Sequence, residues 1–141
     1  MTALRHATTN YKALAPFILG MDGENNHRKF ESSGYMPLVI EWLYYNDYKG
    51  RPVFSIAHYG EQNGDLMRDP EMTVAIDFDA GAVEPLTWRN DYIGHLDEVY
   101  QRNAAGQLLY SQRIRTSLDE FLWQWLKNIK YQGFNPNQFT E

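Results

Sequence analysis

Residues His58 to Met72 read His-Tyr-Gly-Glu-Gln-Asn-Gly-Asp-Leu-Met-Arg-Asp-Pro-Glu-Met and gather more groups able to do chemistry than any other stretch of the chain. An imidazole at His58, with carboxylates at Glu61, Asp65, Asp69 and Glu71 to tune it, could act as a base or hold a cation. A metal-assisted hydrolase built on His58 with Glu61, Asp65 or Asp69 is therefore one expectation. The spacing gives it little support. A calcium loop of the EF-hand kind needs alternating acids and a glycine at its sixth position, and Asp65 to Glu71 has neither. Zinc would have to draw on His6, His27, His58 and His95, no two of which have helix-adjacent ligand spacing. No glycine-rich phosphate loop or nucleophile elbow is present, and Ser55, Ser111 and Ser117 have no motif around them. No catalytic residue, metal ligand or cofactor is assigned on these grounds. The plainer account is that Asn63, Gly64, Asp69 and Pro70 serve a loop, with Asp65 and Asp69 capping a helical turn at Leu66 to Arg68.

Recognition is the other chemistry this stretch could do. Asn63-Gly64 is a tight-turn signal, but Gly60 to Pro70 reads as a connection longer than a hairpin loop, and such loops usually carry a function. From Glu61 to Tyr100 ten acids face two bases, a local charge of −8 that leaves +3 to the rest of a chain whose net charge is −5. An anionic face disfavours direct contact with nucleic-acid phosphates and suits a protein partner. Equally, such acids can merely solvate the outer side of a sheet. Tyr44, Tyr45, Tyr48, Tyr59, Trp88, Tyr92 and Tyr100 could rim the segment, or sit half-buried in strands. The candidate binding residues are His58, Glu61, Asn63, Asp65, Arg68, Asp69, Glu71, Trp88 and Tyr92. A third option is a small nucleotide held between aromatic rings, which would want Arg28, Lys29, Arg113 or Arg115 nearby; no spacing makes those four converge.

The scaffold has to come from 141 residues without cysteine, so disulfides and thiolate metal sites are excluded and a reducing cytoplasm is the expected compartment. The length suits one domain. Neither a secretion signal nor a membrane-spanning apolar run is legible.

Thr8, Thr9 and Asn10 can cap a helix from Tyr11 to Leu19, with Tyr11, Leu14 and Ile18 on one face and Gly20 as a stop, unless Pro16 ends it near Ala15. Met21 to Gly34 reads as loop with a short strand near Phe30. Leu38 to Tyr45 and Pro52 to Tyr59 read as a hairpin about the Asn46–Gly50 turn. Met72 to Phe78 alternates most cleanly, with Met72, Val74, Ile76 and Phe78 inward. Val83 to Trp88 tolerates Pro85 only at an edge or a bulge. Leu96 to Gln101 makes a fifth strand, and Asn103 to Gly106 turns the chain into an unassigned segment, Gln107 to Arg113. Ser117 and Glu120 fit a capping box for a helix that buries Leu118, Phe121, Leu122, Trp125, Leu126 and Ile129, with Lys127 and Lys130 near its end and Gly133 as its stop. Asn135 to Glu141 reads as a loose tail. The expected class is α+β: a single antiparallel sheet of about five strands with N- and C-terminal helices on one face.

Three segments, His58 to Met72, Leu96-Asp97-Glu98-Val99-Tyr100 and Trp125 to Phe134, resemble in order a family of small bacterial proteins classed as a domain of unknown function. The resemblance spans Tyr35 to Phe134, and its Glu-Gln-Asn-Gly-Asp block is the most specific part. Members are often encoded on plasmids, conjugative elements and phages. The resemblance implies an accessory, non-enzymatic role in a mobile element and brings no catalytic residues with it.

Overall fold

The computed structural model describes residues 1–141. Six strands follow one another across a single antiparallel sheet in chain order: β1 (His27–Phe30), β2 (Leu38–Asn46), β3 (Pro52–Gln62), β4 (Asp65–Asp77), β5 (Ala82–Asn90) and β6 (His95–Glu98). A separate ribbon pairs β7 (Tyr100–Arg102) with β8 (Leu108–Tyr110), and helices α1 (Ala7–Ile18) and α2 (Gln112–Tyr131) stand near the two chain ends. The architecture is α+β with an antiparallel sheet, six-stranded rather than five. No helix is long and apolar enough to cross a membrane.

The two-residue period of the strands decides which side chains meet. Leu38 and Ile40, Phe54 and Ile56, and Met72, Val74 and Ile76 share one face, where register places Ile40 opposite Ile56 and Ile56 opposite Met72. These residues join Leu14, Phe17 and Ile18 of α1 and Leu118, Leu122, Trp125, Leu126 and Ile129 of α2 in one buried cluster of 20 residues. Each fully buried Leu, Ile or Phe contributes roughly 1.5–3 kcal/mol, so this cluster holds sheet and helices together. Pro85 lies in the half of β5 that β6 does not reach, beside a register shift at Thr73 and Val74, which satisfies both conditions for proline in a strand.

Several local expectations are corrected. Helix α2 starts more than a turn before Ser117: its N-cap is Ser111, whose hydroxyl accepts from the Ile114 amide at 3.2 Å, and Ser117 and Glu120 lie inside it. The earlier start places Arg115 beside Glu84, a tertiary contact that a local capping motif does not encode. Helix α1 begins at Ala7 without a side-chain cap and runs through Pro16 to Ile18. The single strand expected over Leu96–Gln101 is divided at Val99, which is buried; its amide donates to Leu86 and its carbonyl accepts from Ser111, so the chain leaves the main sheet there. Phe78 lies just past the end of β4 and is partly exposed, with its ring against Trp42, Phe54 and Tyr11.

The C-terminal residues read as a loose tail are tied to β1. Thr140 and Lys29 exchange both backbone hydrogen bonds, at 2.8 and 3.0 Å, and Phe139 lies against Phe30 with the Arg28 guanidinium 4.1 Å from its ring centroid.

Candidate functional site

The segment read as a loop is a hairpin. Strand β3 runs on to Gln62, the chain turns at Asn63-Gly64, and β4 starts at Asp65, with Gln62 opposite Asp65, Glu61 opposite Leu66 and Gly60 opposite Met67. Both turn residues have positive φ, 53° and 86°, as the primed two-residue hairpin turn requires and as Asn-Gly supplies at least cost. A register shift between Ala57 and Tyr59 absorbs the extra residue where Pro70 interrupts β4. No helical turn forms at Leu66 to Arg68, so Asp65 and Asp69 cap nothing there.

Neighbouring strands do not follow this hairpin outward. Pairing of β2 with β3 stops at Leu38–His58, and pairing of β5 with β4 stops at Arg89–Glu71. Residues 59–62 and 65–68 therefore pair in the sheet only with one another, as a two-stranded arm whose tip, residues 61–66, is exposed. Leu66 is 73% exposed there, between Asp65 and the Glu61 strand opposite.

Side chains at the root brace the arm. Arg68 donates from Nε to Asp91 Oδ2 at 2.9 Å, and the same oxygen accepts from the Arg68 amide at 2.8 Å. That contact holds the Asp91 carboxyl below its ordinary value and raises the Arg68 guanidinium. Glu71 lies 3.9 Å from Arg68 and accepts from the Ser55 hydroxyl at 2.9 Å. Asp69 accepts from the Asn90 amide at 2.8 Å. The Tyr92 hydroxyl rests where a Cβ on residue 60 would stand, so Gly60 is what allows Tyr92 to lie against the arm. Burial, then Glu71, pushes the Tyr59 phenol up.

The structure thus divides the nine candidate binding residues. Glu61, Asn63 and Asp65 stand exposed at the tip, while Arg68, Asp69, Glu71 and Tyr92 form its root. His58 and Trp88 do not join them. The strand period points His58 to the core face with Phe54 and Ile56, where it is 8% exposed against Trp125 and Phe134, with Nδ1 3.2 Å from the carbonyls of Met36 and Pro37. Burial pulls the His58 pKa down, against those carbonyls and Asp69. Trp88 faces the same side as Met72 and meets Phe121, ring centroids 5.8 Å apart. The expected aromatic rim also disperses: Tyr44 bonds Asn26, and Tyr48 lies tilted against Tyr100 at the far end of the sheet.

No group of three or more His, Asp or Glu side chains is placed to hold a metal ion. Of the four cations wanted for a nucleotide, three are engaged elsewhere, Arg28 by the Phe17 carbonyl and the Phe139 ring, Lys29 by Glu31, and Arg115 by Glu84 and the Thr2 carbonyl, while Arg113 stands exposed on α2. A cleft of about 220 Å³ at the arm's root, lined by Arg68, Arg89, Asn90, Asp91 and His95 among others, is smaller than the roughly 300–1,000 Å³ of small-molecule sites.

The bracing partners Ser55, Asn90 and Asp91 were not found by sequence reasoning, because nothing local links them to Arg68, Asp69 or Glu71. Nor does any local pattern announce a second acidic centre. Glu84, buried, accepts from the Tyr100 hydroxyl at 2.7 and 2.9 Å and lies 3.4 Å from Arg51 and 3.7 Å from Arg115; Arg51 in turn binds Asp47 through Nε at 2.9 Å. Burial and its bonds to Tyr48 and Glu84 drive the Tyr100 phenol far up.

No curated protein and no solved structure matches the chain. The sequence profile of one family covers residues 9–135, which include every strand, all of α2 and nearly all of α1. The chain belongs to the family described as Domain of unknown function (DUF6908).

Proposed function

We propose that the protein is a non-enzymatic binding module that engages a cationic protein surface through the tip of the β3–β4 arm. The observation that carries this reading is the projection of the arm. A two-stranded ribbon with no paired strand on either edge gains little stability from burial, yet this one is kept in shape by Asn63-Gly64, by the Arg68–Asp91 bond and by Tyr92. Glu61 and Asp65 at its tip make no ion pair within the chain, so they keep their charge for a partner. Exposed Leu66 between them supplies apolar area that a partner would bury. The family resemblance adds the context: an accessory factor of a bacterial mobile element, acting in the cytoplasm on a host or element-encoded protein.

The test is affinity capture from a bacterial lysate with the wild type and a Glu61→Lys, Asp65→Lys double variant, followed by identification of the captured proteins. The expected result is a basic protein recovered by the wild type, released by raised salt and lost from the variant. Equal recovery by both proteins would remove the arm from the function.

A further inference from the structure

We propose that the groove between α1 and α2 binds a small amphipathic carboxylate, with its apolar body between the helices and its charge on three lysines. The groove has a volume of about 390 Å³, at the lower end of the roughly 300–1,000 Å³ typical of small-ligand sites. Its floor is apolar, formed by Ala13, Pro16 and Phe17 of α1 with Leu126 of α2 and Phe134 and Pro136 beyond it. Lys12, Lys127 and Lys130 line it as well; all three are exposed and none makes an ion pair. Lys127 is held in place by Trp123, its Nζ 3.8 Å from the ring centroid.

Charge complementarity selects the ligand. Residues 1–21 and 121–140 contain Arg5, Lys12, Lys127 and Lys130 and not one acid, in a chain whose net charge is −5. Unpaired ammonium groups around an apolar recess favour one anionic end on an otherwise apolar molecule. Asn10 lines the groove at 1% exposure; its Nδ2 donates to the Asp119 carbonyl at 3.4 Å, and its Oδ1 is buried without a partner. The occupant is a free small molecule and not a partner chain, because a stable protein interface covers on the order of 800 Å² per partner, far more than this recess offers.

Titration of ¹⁵N-labelled protein with decanoate, decanol and acetate, followed by amide chemical shifts, tests the assignment. The expected result is saturable binding of decanoate below about 1 mM, with shifts at Asn10, Ala13, Phe17, Trp123 and Lys127, decanol at least about tenfold weaker, and no response to acetate. Lys127→Glu with Lys130→Glu, at exposed positions that leave the core untouched, weakens decanoate at least about tenfold and leaves decanol unchanged. Equal affinity for decanoate and decanol overturns the proposal, as do shifts confined to another surface, absence of saturation, or tighter binding of a ten-residue acidic peptide. The Glu61→Lys, Asp65→Lys variant keeps decanoate binding, so this site and the arm stand or fall separately.

Discussion

Two acidic centres of this protein are built in opposite ways. Around Glu84 the charges are largely withdrawn from water and paired: the carboxylate meets Tyr100, Arg51 and Arg115, and through them joins Asp47 and the carbonyl of Thr2. At the arm, Glu61 and Asp65 stand in solvent, and the only ion pairs lie at the root, where Arg68 meets Asp91 and Glu71. The first centre ties β5, the β2–β3 turn, β7 and the start of α2 into one body. The second ties the arm to the sheet and leaves its tip unengaged. A buried charge is bound to the stability of the fold, whereas an exposed unpaired charge costs the fold nothing to change. That difference makes the arm, and not the larger Glu84 cluster, the place to look for recognition.

The comparison breaks most readily at Glu84. Glu84→Ala leaves Arg51 and Arg115 facing each other without the carboxylate between them, and a loss of about 3–5 kcal/mol in urea unfolding is expected. A loss below about 1 kcal/mol would show that the buried cluster is not what holds these elements together. Next in size is Gly64→Ala. A side chain at φ +86° is strained by of order 1–3 kcal/mol, and because the arm carries no core residue the cost should appear as loosened amide exchange in residues 59–68 more than as a lower melting temperature.

A pH titration sharpens the same contrast. His58 has a folded-state pKa below its ordinary 6.5, so the unfolded chain takes up a proton first as pH falls. Stability is then fully present above about pH 7 and declines below 6.5, and His58→Gln should flatten that decline in urea midpoints measured from pH 7.5 to 5. The smallest effect belongs to the tip. Glu61→Lys with Asp65→Lys should move the unfolding free energy by no more than about 0.5 kcal/mol while abolishing capture of a basic partner. A large loss of stability in that variant would mean that these acids serve the fold.

Legibility in the sequence followed burial. Met72, Val74 and Ile76 are read correctly as inward because one face of β4 meets the helices and the other does not, which imposes the alternation. The arm obeys no such rule. With both faces wet, residues 59–68 carry no apolar period, and Gly60 and Pro70, here a close approach and a register shift, look like loop punctuation. Asn63-Gly64 did announce the turn, but without patterned flanks the hairpin around it was invisible. Seven of the nine proposed binding residues fall together at the arm, and His58 and Trp88 leave the set because the strand period turns them to the core face.

By itself the sequence determined the antiparallel α+β plan, the amphipathic terminal helix and the anionic middle of the chain, since each is written in nearest-neighbour spacing, in periods of two and 3.6, or in composition. Only the tertiary structure decided that α2 is capped by Ser111, that the C-terminal residues dock on β1 through Phe139 and Thr140, and which carboxylates are spent on pairing and which stay free. Those outcomes rest on contacts between residues far apart in the chain, as between Lys29 and Thr140. No local pattern records them, because the partners of Glu84 and Lys29 are chosen by how the sheet and helices close on one another.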